Sequence, residues 1–286
     1  MARQLPADRH IMPFPRKNTS APVTLDDMTH PPTDNIPDEA SQDAPDDRPT
    51  IVPYRGTVPY RGTPEALASE LRTISQSIDI ADVPDDAWPQ LAKYCLLVWD
   101  WNEKINLTRH TDPDRFVKRD MLDSVMLASH LAQNEEVLDI GTGGGVPGIL
   151  LAILRPDIQV TLCDSVAKKA RVAEQIVDDL GLKVPVYPQS VTKVLEDFRY
   201  DSLVARAVGP LARLCGWLKE DWHKIGRLLA IKGPKWVEER GEARHRGLLK
   251  GVDLRRLVSY RMPDTDSEST ILQLSRQRGA QPIEEI

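Results

Sequence analysis

The stretch Val137-Leu-Asp-Ile-Gly-Thr-Gly-Gly-Gly-Val-Pro-Gly148 constrains this chain more than any other. An apolar, strand-like run ends in glycines, and a helical pattern follows at once. Glycine lets the backbone turn sharply and come close to a ligand, while the first amides of a helix have no partner inside it and are free to donate. The pattern implies a nucleotide-like ligand at the carboxyl end of a strand. Asp164 lies 19 residues after Gly145, at the end of the next strand-like run, where a carboxylate can accept from both ribose hydroxyls. A glycine-rich turn that binds nothing is the plainer alternative. It does not account for glycines, strand, helix and acid falling together.

The same alternation continues to the end of the chain. Strand-like runs are Val137 to Ile140, Gln159 to Cys163, Val184 to Tyr187, Ser202 to Ala205 and Arg227 to Ile231. Helical patterns fall between them at about Val146 to Leu154, Val166 to Leu180, Pro210 to Lys224 and Val237 to Leu249. Strand and helix in regular succession predict a parallel sheet covered on both faces. Two later runs, Leu254 to Tyr260 and Ser269 to Leu274, predict an antiparallel pair at one edge and bring the strands to seven.

The glycine spacing bears on which ligand is held. Dinucleotide sites also combine glycines with a ribose-binding acid, but they keep the helix N-terminus open to a pyrophosphate. Here Asp139 stands two residues before Gly141 in Asp139-x-Gly141-x-Gly143-x-Gly145. An acid there suits a positively charged ligand, such as the sulfonium and amino group of S-adenosylmethionine. Asp139 could equally brace the loop by accepting its amides.

The expected organisation is a disordered Pro- and Asp-rich tail at 1–63, a helical subdomain at 64–135, the methyl-donor domain at 136–278 and a short tail at 279–286. The first 63 residues hold 11 of the 23 prolines and a duplicated hexapeptide, Val52-Pro-Tyr-Arg-Gly-Thr57 and Val58-Pro-Tyr-Arg-Gly-Thr63. So polar a segment buries too little apolar surface to offset the entropy of ordering it. Thr63 is placed to cap a helix that starts at Pro64. Further helices are expected at about Asp86 to Lys104 and from Asp112-Pro113 to His130. Cys95, Cys163 and Cys215 form neither a CxxC pair nor a disulfide framework, and no apolar segment approaches a bilayer span or a secretory leader. A reducing cytoplasm fits this pattern. His110, His130, His223 and His245 show no ligand spacing, so no metal is expected.

Charge is uneven along the chain. The net charge is -6, yet Arg206 to Arg261 holds 14 Lys and Arg against six Asp and Glu. That segment is either a solvated face or a surface for a polyanion, with Lys232, Lys235, Arg240, Arg244 and Arg246 as candidate phosphate contacts.

Six separated blocks resemble the glucose-inhibited division protein B family, also called ribosomal RNA small subunit methyltransferase G. They are Trp101 to Thr108, Arg119 to Ser124, Asp139 to Gly148, Leu162 to Ser165, Ala205-Arg-Ala207 and Ala230-Ile-Lys-Gly233, within a resemblance covering about 86 to 275. The resemblance implies methylation of guanine N7 in 16S ribosomal RNA, naked or in the small-subunit particle, with S-adenosyl-L-methionine as cofactor. The implied fold is α/β, a Rossmann-like class I S-adenosylmethionine-dependent methyltransferase with a mostly parallel seven-stranded sheet and N-terminal helices. It also implies cofactor contacts at Gly141, at Val146 where the helix starts, at Asp164, and at Arg206 by the cofactor and active-site mouth. A small residue followed by Glu lies near the adenine in the family; the matching positions here are Thr192 and Lys193, without the acid. Asp120 stands where the family usually has His.

Local explanations compete for several of these residues. Asn102, Asn106 and Thr108 either close a helix or line the pocket. Arg119 and Asp123, four apart, are expected to pair along one helix. Guanine N7 carries an in-plane lone pair and no proton, so no general base is assigned and the catalytic residues stay unknown. The other readings are a nicotinamide-dependent oxidoreductase and a catalytically silent RNA-binding assembly factor.

Overall fold

The structure, a computed structural model, describes residues 60–80 and 83–277. Most of the proline-rich segment with its duplicated hexapeptide, and the expected tail at 279–286, lie outside the described residues. Of the first 63 residues, Tyr60 to Thr63 are described, and both Tyr60 and Thr63 are engaged. Thr63 caps α1 (Pro64–Ser77), its hydroxyl accepting from the Ala66 amide at 3.2 Å. Tyr60 donates to Glu70 at 3.1 Å, and its ring lies 6.4 Å from that of Trp99.

α2 (Ala87–Asn102) follows, burying Trp88, Leu91, Tyr94, Cys95 and Val98 on one stripe. The third expected helix forms in three pieces: α3 (Pro113–Arg115), a π-helical stretch (Phe116–Met121) and α4 (Leu122–Ala128). Asp112 caps it, accepting from the Arg115 amide at 2.9 Å.

The sheet then forms from β1 (Glu136–Ile140), β2 (Gln159–Cys163), β3 (Val186–Tyr187), β4 (Tyr200–Arg206), β5 (Ile225–Lys232), β6 (Val252–Arg261) and β7 (Glu268–Arg276). Its order is β3-β2-β1-β4-β5-β7-β6, with β7 antiparallel to both neighbours and the other pairs parallel. This is the expected Rossmann-like, mostly parallel seven-stranded sheet. The edge pair is more interwoven than expected, because β7 inserts between β5 and β6. The helices between the strands are α5 (Gly148–Leu154), α6 (Ala167–Leu180), α7 (Val191–Asp197), α8 (Leu211–Trp217) and α9 (Trp236–His245). A 3-10 turn, Trp222–Lys224, precedes β5, so Pro210 to Lys224 is not one helix.

Side chains of one strand supply both cores. In β5, Leu229 and Ile231 enter the layer shared with α1, α2 and α6, while Leu228 and Ala230 enter the layer shared with α7, α8 and α9. Burial on both faces explains why these strands read as unbroken apolar runs. Near the amino ends of the strands, buried Glu135 accepts from the Arg227 guanidinium at 2.9 and 3.1 Å and from Ser202. At the carboxyl ends the winding reverses between β1 and β4, the place where such sheets open a crevice for ligands. Among the described residues no helix is long and apolar enough to cross a membrane.

Thr63→Ala should cost about 1 kcal/mol in urea unfolding through loss of the cap. A chain starting at Pro64 loses Tyr60 as well and should unfold at lower urea than one starting at Tyr60. Equal midpoints would show that α1 draws no stability from these residues.

Candidate active site

Asp139 faces inward from β1 with no exposed surface. Its Oδ2 accepts from the Thr142 hydroxyl at 2.6 Å and from the Gly148 amide at 2.9 Å, so the carboxylate ties the strand to the first turn of α5. Helix α5 therefore starts at Gly148, and Val146 sits in the turn two residues ahead of it, not at the helix start. Only glycine fits at 148, where a Cβ would stand 2.2 Å from Leu162 and 2.7 Å from Asp139 Oδ2. Gly141 has φ +67°, a conformation that L side chains rarely adopt, and a Cβ there would press on Val208 at 3.0 Å. From α2, Tyr94 donates to the Gly144 carbonyl at 2.9 Å and braces the loop from outside. Asp139 Oδ1 is buried without a partner among the described residues.

Asp164 follows β2 directly. Its Oδ2 accepts from Gly143 at 2.9 Å and its Oδ1 from Val166 at 2.8 Å, so the structure brings it against the glycine loop as expected. Each oxygen keeps a lone pair. Thr192 and Lys193 lie in the first turn of α7, a helix the strand and helix patterns did not reveal. The Thr192 hydroxyl shares a hydrogen bond with the capping Ser190 at 2.8 Å. Lys193 is exposed and turns to Glu196 at 2.6 Å. The glycine loop, Asp164 and the unsatisfied oxygen of Asp139 fit a ribose-bearing, positively charged cofactor; Lys193 supplies no acid in place of the family's Glu.

Arg206 ends β4, two residues past Val204, which pairs with Asp139. Its guanidinium meets Asp123 and Asp120 at 2.7 Å each. Burial opposes the charge, but the two carboxylates outweigh it and hold the proton more firmly than usual. Asp123 also accepts from the Tyr260 hydroxyl at 2.6 Å, and Asp120 pairs with His110 Nδ1 at 2.7 Å. Burial, then the Asp123 charge, push the Tyr260 hydroxyl well above its ordinary value.

The expected pairing of Arg119 with Asp123 is therefore not formed. The π-helical stretch that carries Arg119 and Asp120 breaks the i,i+4 geometry such a pair needs, and among the described residues Arg119 reaches only Thr265, at 3.5 Å. Asn102 closes the end of α2, its Oδ1 accepting from Leu107 at 2.7 Å and Thr108 at 2.9 Å. Thr108 in turn accepts from the His110 amide at 3.0 Å. Beside this cluster lies a cavity of about 550 Å³, lined by Arg109, His110, Arg119, Asp123, Arg206 and Met262 among others. Tyr260 escaped the sequence reading because its partner Asp123 is 137 residues away, and His110, weighed there only as a metal ligand, instead pairs with Asp120.

The basic segment is less open than its composition suggests. Lys232 pairs with Glu239 and donates to the Gly209 carbonyl, both at 2.6 Å, while Arg246 pairs with Glu242 at 3.4 Å. Arg240 lies 5.3 Å over the Trp236 ring. Lys235 and Arg244 stay exposed at opposite ends of α9.

Burial raises the Asp139 pKa from 3.8 to about 6, against the pull of Thr142, Gly148 and Arg206, with Asp164 adding to the rise. The folded protein thus keeps a proton that the unfolded chain has released, and stability falls as pH rises from about 4 to about 6 and then levels. Comparing unfolding free energies of wild type and Asp139→Asn across that range should expose this slope in the difference; a constant difference would place the titration elsewhere. Arg206→Met should cost about 3–5 kcal/mol, because it strands two buried carboxylates. A loss below about 1 kcal/mol in thermal or urea unfolding would show that the acids find other partners.

The model of the family described as rRNA small subunit methyltransferase G matches residues 87–266. A ribosomal RNA small subunit methyltransferase G from Rhodopirellula baltica is 54% identical over 170 residues, 59% of this chain and 74% of that protein. Its counterpart from Hydrogenovibrio crunogenus is 34% identical over 193 residues, 67% of this chain and 87% of that protein. Another, from Psychromonas ingrahamii, is 32% identical over 196 residues, 68% and 92% of the two chains. With the family match spanning more than half of its length and relatives of this likeness along two thirds of it, the chain belongs to the rRNA small subunit methyltransferase G family.

Proposed function

We propose that this protein methylates N7 of a guanine in 16S ribosomal RNA, with S-adenosylmethionine as methyl donor. The observation that carries the reading is the braced glycine loop beside Asp164 at the reversal of the sheet, with an unsatisfied Asp139 oxygen behind it. The cofactor, when bound, supplies an electrophilic methyl group on a sulfonium. Asp164 would hold the ribose with its remaining lone pairs, the backbone around Gly141 would lie against the ligand, and Asp139 would oppose its positive charge. Guanine N7 is already a free nucleophile, so the chain needs to remove no proton. Its task is to hold the base in line with the methyl group and keep water out. The cavity beyond Arg206 opens where β4 ends, on the strand next to β1 and its glycine loop, and offers a place for the base.

N7 lies in the deep major groove of paired RNA, so the target guanine must enter unpaired or flipped. The substrate is 16S ribosomal RNA or the small-subunit particle. A reducing, cytoplasmic setting belongs to this reading, supported by three free, buried cysteines.

Incubating unmethylated 16S ribosomal RNA or small-subunit particles with the protein and labelled donor, followed by mass mapping, should reveal N7-methylguanine. Absence of transfer while S-adenosylhomocysteine still binds would favour a silent assembly factor, and saturation by NADH instead would favour an oxidoreductase. Asp164→Ala should weaken S-adenosylhomocysteine binding by about 1.5–3 kcal/mol, roughly 10- to 150-fold, with cooperative unfolding retained. Unchanged affinity by titration calorimetry would move the ribose elsewhere.

A further inference from the structure

The cavity beyond Arg206 carries positive charge that the described residues do not neutralise. Of the arginines that line it, Arg206 is matched by Asp120 and Asp123, and Arg115 by Asp112. Arg109 and Arg119 differ. Arg109 is exposed and makes no hydrogen bond or ion pair among the described residues, and the half-buried Arg119 has only its long contact with Thr265. Asp123, on the same wall, has one oxygen taken by Arg206 and the other by Tyr260. Two guanidiniums therefore face one cavity without a carboxylate to answer them.

Their supports hold them there. The Asn102 and Thr108 hydrogen bonds shape the turn that presents Arg109, and the π-helical stretch presents Arg119. The cavity floor includes the thioether of Met262, itself 3% exposed. Cationic forks beside an apolar floor suit an anion joined to a flat, apolar-faced group, and guanidinium is the side chain best matched to phosphate oxygens.

We propose that Arg109 and Arg119 clasp an RNA backbone phosphate at the target nucleotide, so that the strand is gripped here more than along α9. The proposal rests on the RNA-methylating function above. The rival source of the same chemistry is the carboxylate of the cofactor's amino acid, which an arginine beside the donor site would also attract.

The test compares Arg109→Gln/Arg119→Gln with Lys235→Gln/Arg244→Gln, the exposed cations of α9, and with the charge-keeping Arg109→Lys/Arg119→Lys. For each, binding of extracted 16S ribosomal RNA is measured between about 50 and 200 mM salt, S-adenosylhomocysteine binding by calorimetry, folding by thermal unfolding, and transfer as kcat and KM for RNA. The Gln pair at the cavity should lose at least about tenfold in RNA affinity. Its slope of log affinity against log salt should flatten by about 1.4, from two single-strand contacts of about 0.7 each. S-adenosylhomocysteine affinity and thermal unfolding should stay at wild-type values, KM for RNA should rise more than kcat falls, and the Lys pair should recover most of the salt slope. Wild-type RNA affinity and slope in the Gln pair would overturn the proposal. So would a loss of S-adenosylhomocysteine affinity with RNA binding intact, which would assign the arginines to the cofactor carboxylate. Absence of transfer by the wild-type protein would defeat the broader function instead, while the RNA-binding arm would still decide the clasp.

Discussion

One guanidinium, that of Arg206, joins three stretches of chain that are remote in sequence. It ends β4, grips Asp120 of the π-helical stretch and Asp123 at the start of α4, and through Asp123 reaches Tyr260 of β6. Taking such charges out of water is expensive, and a buried ion cluster of this kind is weak evidence of stability by itself. What it adds is position. Each carboxylate also has a second partner, His110 for Asp120 and the Tyr260 hydroxyl for Asp123. The helical segment before the sheet and the hairpin after it are thereby fixed to the carboxyl edge, and the cavity exists because both are held there. Arg206, which the family resemblance puts at the cofactor and active-site mouth, stands in the wall of this cavity.

A second acid, Asp139, fixes the other half of the site by a different means. It has no cation in contact and is held by a hydroxyl and an amide, so burial drives its proton affinity up. The two acids divide the work: Asp139 sets the path of the glycine loop, and Asp123 ties α4 to β4 and β6. Glu135 and Arg227 make a comparable tie near the amino ends of the strands, far from any ligand. Buried charge alone therefore does not mark the functional edge of this sheet. What distinguishes the carboxyl edge is the Asp139 oxygen left without a partner among the described residues.

Much of this was readable from the chain because the interior strands are buried on both faces and announce themselves as apolar runs. The glycine loop and Asp164 were equally legible, since a tight turn and a strand-end acid are local features. Helix α7 was not. Its seven residues bury only Val191, Val194 and Leu195, too few to show a period. The Arg119 and Asp123 pairing failed for a related reason: four-residue spacing implies a shared face only in an α-helix, and nothing local signals the π-helical turn. Lys232 read as a candidate phosphate contact because Glu239, its partner, lies on the following helix, where only the fold brings the two together. The same holds for Tyr260, which is 137 residues from Asp123.

The insertion of β7 between β5 and β6 bears on how the protein comes into being. As the chain leaves the ribosome, the parallel strands β1 to β5 can pair in succession, each new strand finding an edge already present. β6 cannot, because its place in the sheet exists only once β7 has arrived to join it to β5. Tyr260, Met262 and Ser269 stand on these two strands and the turn between them, so the wall they form is the last part of the site to be assembled. A nascent chain halted before residue 268 would expose β5 as an open apolar edge, a template for pairing with other chains. Completion of the site and protection of that edge are thus one event in the life of the chain.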